Sequence, residues 1–357
     1  MIERLFDDSG PRTLERMLSV ARHAPASACS PDQGCPTRVG VPTTLVMRLR
    51  LLLVVCCLTA GLAVPATAGA SQLIARDAKN VRLQVNAKGE ALLTYTAKGK
   101  QLKVLAWGAV DAVHPTPGAR QTAFKLDYAG GWGKYRKVLS AATFKNVCRP
   151  YTGPALPWLL TACTAPDGSH WALQSWQRAL PNLGLAPWLP LQSAAELHLS
   201  HWTTDIAKLE LWANWAYSKR FDHVFGRLTY RGQPVFGFAS TRKGEPLDAV
   251  GRNIYLDTLD SAYGPGWKRE NSCLTHIRTG AFCYGFYEHD PYPGYPAVGR
   301  RPQGKGTRYR ATVLGPGVTP IVSWEGPALG AYDAALDAQL RETQREVYAG
   351  DALCKPL

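Results

Sequence analysis

The run VRLQVNAKGEALLTYTAKGKQLKVLAWGAV, residues 81–110, decides the fold class. VRLQVN, ALLTYTA and LKVLAWGAV alternate apolar with polar residues or are rich in β-branched ones, and the gaps AKGE and KGKQ each carry Lys-Gly. Period-two patterning broken by short glycine turns is the signature of antiparallel strands joined as hairpins. A β-meander is therefore expected here, resuming in FKLDYAG after the Pro/Gly loop HPTPGAR.

Downstream the same reading extends to SHWALQSWQR, ELHLSHW, KLELWANWAY, NIYLDTL, FCYGFY and RYRATVL as strands. FGRLTYRGQPVFGFAS is a further hairpin turning at Arg231-Gly232. Only the tail reads as a helix. In PALGAYDAALDAQLRETQREVYAG, Leu329, Tyr332, Leu336, Leu340, Thr343 and Val347 recur at three- and four-residue steps, with Pro327 before the first turn and Gly350 at the end. The expected class is mainly β: an antiparallel sandwich-like core with Trp/Tyr-rich strands and one C-terminal amphipathic helix.

Upstream, MRLRLLLVVCCLTAGLAVPATAGASQ from Met47 has a short basic start, an apolar core over Leu51–Val64 and small residues at Ala68-Gly69-Ala70, as a secretory signal requires. The expected organisation is a spurious or disordered extension at 1–46 and a signal peptide at 47–70. A β-meander follows at 71–145, a Trp-rich β region at 146–326 and the helix at 327–350. Cleavage near Ala70 would export the chain, with a membrane anchor over residues 51–75 as the alternative, since that apolar run is about long enough to span a bilayer. All 11 Trp and 15 Tyr fall beyond residue 70, and the net charge is +14. An exported basic protein is drawn to polyanions.

Export also governs the cysteines. Cys148, Cys163, Cys273, Cys283 and Cys354 lie beyond the signal segment, and connectivity cannot be deduced from spacing alone. Neighbour pairing is the economical expectation: Cys148–Cys163 across a Pro-rich loop and Cys273–Cys283 across LTHIRTGAF, leaving Cys354 over. Zinc held by Cys273, His276, Cys283 and His289 is disfavoured because only one closely spaced pair exists and oxidation competes, so no metal site is expected. A Cys/His nucleophile fails for the same reason. His198 and His201 stand three apart on a strand and must face opposite sides, one toward solvent and one toward the core.

GRNIYLDTLDSAYGPGWKRE, residues 251–270, combines carboxylates with rings around a Gly-Pro-Gly loop. Arg252, Asn253, Tyr255, Tyr263 and Trp267 are ligand-binding candidates, as are Arg300, Arg301 and Arg308 of the basic segment GRRPQGKGTRYR. Rings stack on sugar faces while charged and amide groups bond hydroxyls. Asp257, Asp260 and Glu270, with His276 nearby, are the candidates for acid–base hydrolysis of a glycan. No nucleophile elbow, phosphate loop or dinucleotide fingerprint is present, so no cofactor is expected. Nor is there a signature of sequence-specific nucleic-acid binding. The readings left are binding of carbohydrate or an anionic cell-envelope polymer, hydrolysis of polysaccharide or peptidoglycan, and a structural or protein-binding role.

Overall fold

The computed structural model describes residues 71–113, 121–128, 143–177, 194–216, 221–236, 253–273, 275–276, 278–286, 304–351 and 354. These belong to one unit, Pro65–Leu357. The signal-like segment and its alternative role as an anchor lie almost wholly outside the described residues. Among those residues, no helix is long and apolar enough to cross a membrane.

The meander forms as expected. Strands β2 (Lys79–Val85), β3 (Ala91–Ala97), β4 (Lys100–Trp107) and β5 (Lys125–Asp127) make one antiparallel sheet in sequence order. Lys98 and Gly99 both have positive φ, 50° and 71°. That is the two-residue turn whose twist suits a hairpin, and glycine takes the second position without strain. At the other turn Asn86 Oδ1 accepts the backbone N–H groups of Lys88 and Glu90.

A second sheet runs β1 (Gln72–Arg76), β9 (Ala195–Trp202), β8 (His170–Gln177), β7 (Leu159–Thr164) and β6 (Arg149–Pro150). Its first strand precedes the meander in sequence yet pairs with β9, so the chain leaves this sheet, builds the meander and returns. The third sheet is β14 (Gly264–Cys273), β13 (Ile254–Ser261), β16 (Arg308–Val313) and β17 (Val322–Pro327). The fourth joins β10 (Lys208–Ala216), β11 (Phe221–Tyr230), β12 (Gln233–Pro234) and β15 (Ala281–Gly285). Arg231-Gly232 turns the β11–β12 hairpin as expected, both with positive φ.

Side-chain alternation stacks these sheets. Trp171 and Leu173 of β8 share a cluster with Leu93, Tyr95 and Val104 of the meander. Trp176, on the other face of β8, packs with Tyr255 of the third sheet and with Ile321, which immediately precedes β17. Ile254, Leu256 and Tyr309 on that sheet's far face meet Val224, Leu228 and Phe282 of the fourth. Gln174 ties the second layer to the third, donating to the Ile321 carbonyl and accepting its N–H, both at 2.9 Å.

Three local expectations are corrected. Gly-Pro-Gly at 264–266 is not a separate loop but the start of β14, where the pairing is irregular between Leu259 and Ser261 and glycine supplies the positive φ that Gly264 and Gly266 adopt. Helix α1 runs Ala334–Val347, later than the sequence implies. Pro327 ends β17 instead, and Asp333 caps the helix by accepting from Ala335 and Leu336 N–H. The stripe is met in part: Val347 is buried as expected, but Leu336 is 41% exposed, and Asp337 and Gln344, which lie outside the stripe, are buried. Asp337 is tolerated inside because Arg341 and Tyr332 donate to it. Val347 and Tyr348 cover Phe225, Ala281 and Trp212 on the outer face of the fourth sheet.

Candidate functional site

The polar–aromatic segment 251–270 folds inward. Asp257 Oδ1 accepts Arg269 Nε at 2.6 Å, and its Oδ2 accepts Arg310 Nε and Nη2 at 3.1 and 3.0 Å. The rings serve these cations. Arg269 lies over Tyr255 and Trp176, and Arg310 over Trp267 and Trp158. The result is a buried ionic cluster within the third sheet, on the face turned to Trp176 of the second, with π faces replacing part of the lost hydration.

Glu270 is carried away from Asp257 by a β-bulge. The register passes from Leu256↔Asn271 to Asp257↔Arg269, which leaves Glu270 as the additional residue. It points to the fourth sheet, where it accepts Tyr284 OH at 2.7 Å. Asp260 is exposed and accepts Gly266 N–H, holding the hairpin turn. Asn253 is buried on Thr275, and Tyr263 is half-buried. Arg308 is exposed beside Glu325. Arg252, His289, Arg300 and Arg301 lie outside the described residues.

Of the other members of the basic segment Arg310 turns inward, and Lys305, though exposed, donates from Nζ to buried Asp222 at 2.8 Å. Asp222 also accepts Tyr309 OH at 2.6 Å. Burial, with the negative charges of Asp222 and Glu270, drives the Tyr309 phenol far above its ordinary range, so it is a fixed donor.

The histidines of β9 face opposite sides as expected, but neither reaches solvent. His198 bonds Ser71 and Glu196 and is 1% exposed. His201 is 8% exposed; it stacks on Trp171 and bonds the Ala109 carbonyl and Ser169 hydroxyl. Burial lowers its pKa to about 4, so it is neutral at pH 7. Burial also lowers His223 to about 4.

Cys148–Cys163 is bridged as expected, but Cys273–Cys283 is not. Cys283 pairs with Cys354, 71 residues away, and Cys273 belongs to neither bridge. The 275–280 turn does close around Arg278-Thr279-Gly280, with His276 N–H donating to Ala281. His276, Asp351 and Cys354 offer ligand atoms within 4.8 Å of one another. They fit a cation poorly: the sulfur is in a cystine, and Asp351 already accepts from His276, Thr279 and the Cys354 N–H.

Of the nine described tryptophans, none is fully exposed, so no platform of open indoles exists among the described residues. What the outer meander offers instead is polar. Register sets Arg82, Thr94 and Lys103 in one cross-strand row, with Thr96 beside Gln101. These residues and Gln84 line a groove of about 980 Å³ that reaches Thr161 of β7. Its lining holds two cations and no carboxylate. A second depression, of about 450 Å³, is self-neutralised: Lys208 and Arg227 pair with Glu210, and Arg231 with Asp205 and Asp111. Burial acts to raise the Glu210 pKa, but the hydrogen bonds from Lys208 and Arg227 overcome it and leave the carboxyl below its usual range.

The groove was not singled out in the sequence because alternation reads its residues only as a solvent face. Their register across three strands was the missing information. Compared with family models, curated proteins and solved structures, the chain matches none.

Proposed function

We propose that this is an exported protein that binds an anionic polysaccharide, or another anionic polymer of the cell envelope, along the meander groove. The observation that carries the reading is the groove's lining: two cations and several neutral hydrogen-bonding side chains with no acid among them. Arg82 and Lys103 would meet acidic groups of the polymer, while Gln84, Thr96 and Gln101 bond hydroxyls. A net charge of +12 on residues 71–357, from 34 Lys+Arg and 22 Asp+Glu, draws a polyanion to the surface before it is seated. The two disulfides and the signal-like segment 47–70 support export.

Hydrolysis draws no comparable support. Asp257 is held by two guanidinium groups, Asp260 holds a turn, and Glu270 faces a different layer from Asp257.

The test compares polygalacturonate, a glycerol-phosphate polymer and neutral dextran as probes. Binding to either anionic polymer should exceed that to dextran, weaken with salt, and fall at least about tenfold in Arg82→Gln/Lys103→Gln. Equal retention of all three probes, or an unaffected double variant, would sink the reading.

A further inference from the structure

Among the described residues two disulfides occur in different surroundings, and of these Cys283–Cys354 faces an oriented imidazole. His276 Nδ1 donates to Asp351, whose oxygens both lie 2.9 Å away. Thr279 Oγ1 and the Cys354 N–H also donate to that carboxylate, at 2.6 and 2.7 Å. The carboxylate side chain is 1% exposed and that of His276 14%. With Nδ1 committed, the ring presents Nε2 to Cys354 Sγ at 4.0 Å. The titratable groups recorded around this node are Asp351 and the Tyr348 phenol, which burial keeps protonated. Among the described residues, neither sulfur of Cys148–Cys163 makes such a contact.

We infer that Cys283–Cys354 is an exchangeable disulfide, with Cys283 as the sulfur attacked, Cys354 as the leaving group, and the His276–Asp351 pair as the device that manages the leaving group's proton. Exposure sets the direction of attack: Cys354 is 1% exposed and Cys283 half-buried. An incoming thiolate of a small thiol or dithiol forms a bond to Cys283 Sγ, and the Cys283–Cys354 bond breaks with its electron pair going to Cys354. The proton given up by the thiol travels as the His276 imidazolium, steadied by Asp351, and passes from Nε2 to Cys354. A second thiolate then attacks the thiol's own sulfur in the mixed disulfide. It releases the oxidised thiol and leaves Cys283 reduced. Two electrons pass from two thiols to the cystine. In the reverse direction neutral Nε2 accepts the Cys354 proton and generates the thiolate nucleophile. This activity is independent of polymer binding, because the groove lies on the meander and the cystine on the fourth sheet.

His276→Asn discriminates this role from a structural tether. The asparagine amide can still donate to Asp351, so the tail stays attached, but nothing replaces Nε2. The full chain is treated with glutathione or dithiothreitol at pH 7, quenched with an alkylating agent, and mapped by mass spectrometry. In the native protein Cys283–Cys354 should open faster than Cys148–Cys163, although both cysteines of the latter are half-buried and Cys354 is buried. The first glutathione adduct should sit on Cys283. In His276→Asn the Cys283–Cys354 rate should fall by more than about tenfold, while Cys148–Cys163, the internal control for folding, keeps its rate. An unchanged rate in the variant overturns the inference. Should the variant fail to fold, the native adduct decides alone: a first adduct on Cys354, or equal labelling of both sulfurs, overturns it.

Discussion

Arg269 Nε meets Asp257 Oδ1 at 2.6 Å, with both side chains only 5% exposed. A carboxylate that reads in sequence as a catalytic candidate is therefore half of a buried ionic joint between β13 and β14. Breaking such a pair from one side leaves a buried charge. Arg269→Met should destabilise the fold by about 3–5 kcal/mol, and Asp257→Asn, which leaves two guanidinium groups facing each other, should be at least as harmful. Urea unfolding checks both; a shift near zero would show the joint to be solvated.

Stability should decline on acidification through the range set by two histidines. His201 and His223 have folded values of about 4, depressed by burial, against about 6.5 in an unfolded chain. Between those values the unfolded chain binds the additional protons, so stability is full above about pH 6.5 and is lost as pH falls toward 4. The pair together should contribute on the order of several kcal/mol to this loss. Urea midpoints from pH 7 to pH 4 measure the slope, and His223→Gln should flatten it.

Gly304 stands against the Glu270 carboxylate so closely that a Cβ there would overlap it. Gly304→Ala should cost about 1–3 kcal/mol by forcing Glu270 and Tyr284 apart. Gly330→Ala, with nothing within 4 Å of its Cβ position, should be neutral. Equal thermal shifts in the two variants would contradict this packing.

Alkylation of the unfolded, unreduced chain should leave Cys148, Cys163, Cys283 and Cys354 unlabelled. Loss of Cys283–Cys354 should destabilise more than loss of Cys148–Cys163, about 4 against about 3 kcal/mol, since the loop closed is longer, 71 residues against 15. Peptide mapping and unfolding of Cys354→Ser and Cys163→Ser test both statements.

The amino-acid sequence by itself determined the elements whose causes are local. Alternation in 81–110 and the Lys98-Gly99 turn specify the meander, Arg231-Gly232 specifies a hairpin, and the economical neighbour pairing is met at Cys148–Cys163. It failed where the cause was distant. Lys268, Arg269 and Glu270 do not read as strand, yet β14 exists because Arg269 finds Asp257 and two rings, and Glu270 finds Tyr284. The helix was visible, but its inward face was not, since Asp337 can be buried only once Arg341 and Tyr332 reach it. Cys283 had a near partner in sequence and a better placed one in space. It lies on β15 beneath the end of α1, and Cys354, which follows that helix, arrives over it. Period and turn chemistry are properties of neighbouring residues; which faces meet, and so which charges, rings and sulfurs find each other, is settled only when the sheets stack.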